Sequence, residues 1–180
     1  IIYGGTPTLK GVSEIESAYL RSDQRKLFVP CHHCGEKHVL DFENLKCPED
    51  LEISHPVYGV SRYQDAFYAC PHCGSTWNDE ERVQNVYEAS RLGWTKTATS
   101  DVAGFYINEL YSPFSGSMLG ELKKKELEAL HEFNKGDETD LIAFVNSSKG
   151  LPYEFQTDAP AEDELANAAL DYPELVLPMN

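Results

Sequence analysis

Nowhere is this 180-residue chain apolar for the run of about 18 residues that would cross a membrane. The N-terminus also lacks the basic and apolar regions of a secretory leader, so the expectation is an intracellular protein. Basic residues are scarce, 15 Lys and Arg against 30 Asp and Glu, for a formal charge of −15. That excludes an indiscriminate grip on DNA, because phosphate binding draws its strength from Lys and Arg releasing counterions. Any nucleic-acid contact has to come from a local basic patch or from parts absent here. No Lys or Arg follows Lys149, whereas Glu154, Asp158, Glu162, Asp163, Glu164, Asp171 and Glu174 do, which suits a solvated linker. Also missing are a G-x-x-x-x-G-K-[ST] loop, a G-x-G-x-x-G after a strand, and any Ser/His/Asp grouping, so the segment by itself shows no catalytic centre. An initiator methionine is absent too. Ile1-Ile2-Tyr3 reads as a strand already under way, and the chain therefore reads as a piece.

What is present is enough for a core, 41% hydrophobic residues in a length that fits one ordinary domain or two small ones. Residues 1–8 read as a short buried strand broken at Gly4-Gly5 and turned by Thr6-Pro7-Thr8. Ser13-Glu14-Ile15-Glu16 fits a reciprocal capping box for a helix with Ile15, Ala18 and Tyr19 on its apolar face. Leu27 to Val29 and His38 to Phe42 read as the two strands of a hairpin, and Phe67 to Ala69 as a third strand. Between them, residues 43–66 hold Pro48, Pro56 and Gly59 and read as a long connection. Asn78 predicts a helix to about Leu92 with Val83, Val86 and Tyr87 on one side, Gly93 closing it and Trp94 packing beneath. Val102 to Leu110 reads as a buried strand. Two helices follow, one from Ser117 with Leu119, Leu122, Leu127, Leu130 and Phe133, the other capped by Asp137 or Thr139 with Leu141, Ile142, Phe144 and Val145 inward.

The strongest signal is a duplicated cysteine pair. Val29-Pro30-Cys31-His32-His33-Cys34-Gly35 and Tyr68-Ala69-Cys70-Pro71-His72-Cys73-Gly74 share the form Cys-x-His-Cys-Gly. A two-residue gap lets both sulfurs of a knuckle face one metal, and the following glycine tolerates a positive φ. Cys31, Cys34, Cys70 and Cys73 thus make a complete thiolate set for a structural zinc ion, with no open position for water. The 35 residues between Cys34 and Cys70 exceed the usual ribbon spacing and match an insertion. Disulfides are the competing use, disfavoured in an intracellular chain. Cys47 reads as an unattached thiol, and His32, His33 and His72 as exposed turn residues. Lys123-Lys124-Lys125 is the best basic run, although such runs are more often solvated helix faces.

Taken in order, several segments resemble the large terminase subunits of lambda-like tailed phages, the motors that package viral DNA. Tyr3-Gly4-Gly5-Thr6-Pro7-Thr8 with Gly11-Val12-Ser13-Glu14-Ile15 is similar to that family's strand after Walker B and its coupling motif, although Gly5 stands where a serine is expected. Ser22-Asp23-Gln24-Arg25 through Val29-Pro30-Cys31 is similar to its next block. So are Ala103-Gly104-Phe105-Tyr106-Ile107-Asn108 with Leu110-Tyr111-Ser112-Pro113, and Phe144-Val145-Asn146 with Gly150-Leu151-Pro152-Tyr153. The resemblance implies an α/β architecture: the end of a RecA-like ATPase domain with an inserted zinc ribbon and a helical linker subdomain. It divides the chain into the end of the ATPase at 1–26, the ribbon at 27–78, the linker subdomain at 79–153 and an acidic linker toward a nuclease at 154–180.

Thr6, with Thr8 behind it, is the coupling candidate, since a hydroxyl beside a γ-phosphate can sense hydrolysis. The resemblance further implies ATP and Mg for the full-length protein, with double-stranded DNA, a small terminase subunit and a portal protein as partners. It implies the host cytoplasm as the setting and leaves a homo-oligomer in the packaging motor open. The alternative is a free-standing zinc-ribbon adaptor for nucleic acid or protein. A zinc enzyme would require only three bound cysteines and a water.

Overall fold

The computed structural model describes residues 1–155, and the acidic linker expected at 154–180 lies, beyond Phe155, outside them. Its elements in chain order are α1 (Glu14–Leu20), β1 (Val29–Pro30), β2 (Lys37–His38), β3 (Leu45–Lys46), β4 (Phe67–Ala69), β5 (Thr76–Trp77), α2 (Asp79–Leu92), α3 (Leu119–Asn134) and α4 (Thr139–Ala143), the last running on into a π-turn at Phe144–Ser148. The result is a mixed helix and small-sheet fold.

The strands are short: β1 with β2 and β4 with β5 flank the two cysteine turns, and β3 adds an edge to the second pair. β1 and β2 pair antiparallel with Val29 opposite His38 and Pro30 opposite Lys37, while β3, β4 and β5 form an antiparallel sheet in that order. Val29, Leu40, Leu45, Tyr68 and Trp77 are fully buried where the two hairpins meet. The same hydrophobic cluster continues through Leu110, Leu119, Leu122 and Phe144, so the hairpins and the C-terminal helices share one core. Tyr111 fastens that junction. Its hydroxyl donates to the Leu27 carbonyl at 2.8 Å and accepts from the Leu40 amide at 3.0 Å, and Asn108 Nδ2 donates to the Leu40 carbonyl at 2.7 Å.

α2 has the boundaries its end signals predict. Asn78 Oδ1 accepts from the Glu81 amide, Glu81 returns the contact at the Asn78 amide, both at 2.9 Å, and Gly93 closes the helix at φ +86°. Its inward face differs from the expected one. Arg82, Asn85 and Ala89 are buried, Val83 and Val86 only half-buried, and Tyr87 is exposed. The reason lies in carbonyl groups that lack strand partners. The Arg82 guanidinium donates to the carbonyls of Leu110, Ser112 and Ser117 and to the Asp79 carboxylate. Asp79 in turn accepts from the Leu119 amide at 3.0 Å, so a carboxylate of α2 serves the first turn of α3, which begins at Leu119 rather than Ser117.

Three other expectations are corrected. Residues 1–8 form no strand; Ile1, Ile2 and Tyr3 are exposed, and only beyond them does the chain pair, Leu9 bridging Tyr153. β-branched composition favours extended backbone, but a buried strand also needs a neighbouring sheet, and the described residues hold none there. Val102 to Leu110 is likewise no buried strand: it runs into a 3-10 turn at Glu109–Tyr111, with Val102, Phe105 and Ile107 exposed and Asn108 and Leu110 buried. Its backbone groups go instead to residues 23–25: the Asp23 amide donates to Val102, the Arg25 amide to Gly104 and the Tyr106 amide to Arg25. The capping box of α1 is half made. Ser13 Oγ accepts from the Glu16 amide, but Glu16 accepts from the Gly11 amide instead of Ser13.

Candidate metal centre

Both knuckles use one backbone design. The Cys31 amide donates to the Glu36 carbonyl and the Gly35 amide to the Cys31 carbonyl; equivalently, the Cys70 amide donates to Ser75 and the Gly74 amide to Cys70, all at 2.8 to 2.9 Å. Gly35 and Gly74 take φ of +79° and +73°, a region where a side chain would be strained. Each reversal brings its second sulfur back over the first, and the hairpins β1–β2 and β4–β5 hold the two knuckles face to face.

The sulfurs of Cys31, Cys34, Cys70 and Cys73 all lie within 4.8 Å of one another. Cys31 Sγ is 3.8 Å from Cys73 Sγ, and Cys34 Sγ is 3.9 Å from Cys70 Sγ. A tetrahedral ion with metal–sulfur bonds of about 2.3 Å has sulfur–sulfur edges of about 3.8 Å. A disulfide would bring two of them to about 2.05 Å. The four cysteines are free thiols and close enough together to hold one metal ion. Cys47 is not among them.

Ser75 completes the surroundings, a role the cysteine pattern gave no reason to suspect. Its Oγ lies 3.4 Å from Cys31 Sγ and 3.3 Å from Cys73 Sγ and accepts from Trp77 Nε1 at 3.3 Å. Burial pushes the Cys31 thiol up, but the Ser75 hydroxyl and the amides of Cys34 and His33 outweigh it and bring it down to about 5. Cys73, helped first by the Ser75 hydroxyl and then by its amide, falls to about 7. For Cys34 the Glu36 amide favours the thiolate, yet desolvation and the three neighbouring sulfurs push the thiol up to about 12. Burial also raises Cys70. Without a cation, then, the cluster holds part of its negative charge and refuses the rest, as like charges at this spacing must.

The histidines stay off the sulfurs. His32 Nδ1 sits 3.0 Å from Asn85 Nδ2 on α2, and His33 and His72 are exposed. His38 is buried, stacked on Tyr68 with ring centroids 5.8 Å apart, and its burial lowers its pKa to about 4, keeping the ring neutral. Thr6 is exposed; the Thr8 amide donates to Ser13 Oγ and its carbonyl accepts from the Tyr153 amide at 2.8 Å. The lysine run is consumed internally, Lys123 by Glu126, Lys124 by Glu128 and Lys125 by Glu109.

Comparison with known proteins identifies the surroundings of this cluster. A family model described as phage terminase large subunit gpA, ATPase domain, matches residues 1–94, and one described as terminase large subunit gpA, endonuclease domain, matches residues 102–180. The large terminase subunit of Enterobacteria phage P21 is 29% identical over 170 residues, covering 85% of this chain and 24% of the relative. The chain therefore spans about a quarter of that relative's length. No solved structure matches the chain.

Proposed function

Because the chain belongs to the lambda-like family of phage terminase large subunits, we propose that it is the zinc-held joint between that protein's ATPase and its nuclease. The ion is zinc, bound by Cys31, Cys34, Cys70 and Cys73 in a closed, structural site. The observation that carries this is the gathering of four sulfurs within 4.8 Å on two matching knuckles, with two of the spacings at 3.8 and 3.9 Å. Four thiolates fill the coordination shell, so the metal orders the fold and performs no hydrolysis.

In the whole protein the activity is ATP-driven translocation of double-stranded DNA with endonucleolytic cutting, using ATP and Mg outside this segment and engaging a small subunit and a portal in the host cytoplasm. Residues 1–26 end a RecA-like ATPase domain, whose sheet takes up the unpaired Ile1-Ile2-Tyr3. Thr6 and Thr8 report hydrolysis from there. The two family matches meet between residues 94 and 102, and here the backbone of residues 23–26 is laced to Thr95, Val102 and Gly104. That lacing favours a rigid transmission over a loose tether. Matches that together run along nearly the whole chain also favour this reading over a free-standing adaptor.

Asp23 is the knot of the lacing. It is 1% exposed and receives Arg25 Nε at 2.9 Å and the Gly104 amide at 3.1 Å. In the full-length protein, Asp23→Asn is expected to keep DNA-stimulated ATP hydrolysis and lose most translocation per ATP, measured by triplex displacement. Unchanged translocation would overturn the transmission role.

A further inference from the structure

One surface runs against the charge of the whole molecule. Residues 21–26 and 91–96 carry Arg21, Arg25, Lys26, Arg91 and Lys96, five of the chain's 15 Lys and Arg, and only one acid, Asp23. The reciprocal backbone bonds of Lys26 and Thr95, at 3.0 and 2.9 Å, place the two stretches side by side. On that surface the Arg25 guanidinium stacks 5.2 Å from the centroid of Phe105, and Trp94 meets the same ring edge-on at 5.2 Å. Phe105 is 52% exposed, and Lys96, with its side chain 61% exposed, reaches Asp23 at 3.4 Å beside them.

Elsewhere the cations of this chain are mostly matched by nearby carboxylates, as on α3. Here two of them share one buried carboxylate, Arg91 lies 3.8 Å from Glu88, and Arg21 and Lys26 have no carboxylate partner among the described residues. An anionic ligand gains from this local excess, and a flat aromatic one gains from the ledge of Phe105. Duplex DNA offers the phosphates but hides the faces of its bases; an unpaired strand offers both, and cations beside an aromatic shelf are the usual means of holding one.

We propose that Arg25, Lys96, Trp94 and Phe105 form a binding ledge for single-stranded nucleic acid, one base stacking on Phe105 and the flanking phosphates lying over Arg25 and Lys96. The ledge uses none of the four cysteines.

The test is fluorescence anisotropy of a fluorescein-labelled oligo(dT) strand titrated with the zinc-loaded 180-residue chain at low salt, with a duplex of the same length in parallel. Binding should quench Trp94 and prefer the single strand. Phe105→Ala should weaken it about tenfold and Phe105→Trp restore it, as one lost stack implies. Lys96→Ala should reduce the salt slope by about one. Phe105 and Lys96 are exposed, so all three variants should fold, which circular dichroism checks; Arg62→Ala, at a cation paired with Asp65 and outside the ledge, should bind like the parent. No binding by the parent, equal affinity for the duplex, or indifference to Phe105→Ala would each overturn the proposal and mark the ledge as a surface for protein.

Discussion

Ser75 does at the scale of one residue what the four cysteines cannot do for themselves. Its hydroxyl sits within 3.4 Å of two sulfurs while accepting from Trp77, so it favours thiolate on Cys31 and Cys73 and is itself held in place. Ser75→Ala is expected to lower zinc affinity about tenfold, the low end for loss of an outer hydrogen bond to a metal site, measured by competition with a chromophoric chelator. The protons follow the same division. Near pH 8, Cys31 at about 5 and Cys73 at about 7 are already thiolates, whereas Cys34 at about 12 and Cys70, raised, still hold protons that a bound metal ion would have to displace. Affinity therefore rises with pH, and binding at pH 8 should release about two protons, read by calorimetry in buffers of different ionisation enthalpy. Release of none would mean that Cys34 and Cys70 do not ligate. Ser75 was not legible in the sequence because the metal pattern is written in ligands, and a serine after Cys-Gly has many uses.

Among the elements, α2 joins the metal hairpins to the helices through Arg82. This side chain is fully buried and neutralises three carbonyl oxygens and one carboxylate. Arg82→Met should cost about 3 kcal/mol or more in urea unfolding, because the carbonyls and Asp79 lose their donor and stay where they are. Asn78→Ala should cost about 1 kcal/mol by removing one cap, and the contrast between the two measures how far the helix is anchored by its side rather than its end. The boundaries of α2 could be read from sequence because Asn78, Glu81 and Gly93 act locally. Its inward face could not. A periodicity argument assumes that apolar residues point in, and α2 instead buries Arg82, which answers the carbonyls of Leu110, Ser112 and Ser117, and Asn85, which meets His32. Segments 1–8 and 102–110 misled for a related reason: aromatic and β-branched residues favour extended backbone, while a buried strand depends on which sheet lies alongside.

At the scale of the whole molecule, the knuckles were legible because each is a seven-residue unit repeated once, and the family resemblance because its blocks keep their order. The single core shared by the hairpins and the C-terminal helices was not, since it depends on contacts such as Tyr111 with Leu27 and Leu40 that span 71 to 84 residues. A shared core has a consequence for stability. Zinc binding at a site of this kind contributes on the order of 10–16 kcal/mol at neutral pH, more than small hairpins can gather from apolar burial. Stripping the ion should therefore disorder at least residues 27–78 and loosen α2, seen as a red shift of Trp77, which is fully buried in the folded protein. Full retention of its emission after verified metal loss would show that the core stands without the ion.

The central claim is the four-sulfur zinc site, and zinc K-edge X-ray absorption on the purified chain tests it most directly. One zinc per chain with four sulfur scatterers at about 2.3 Å is the predicted result. A shell containing nitrogen or oxygen would instead bring a histidine or water into the site and contradict a closed, structural ion, and absence of zinc from chain purified without chelator would contradict the account altogether.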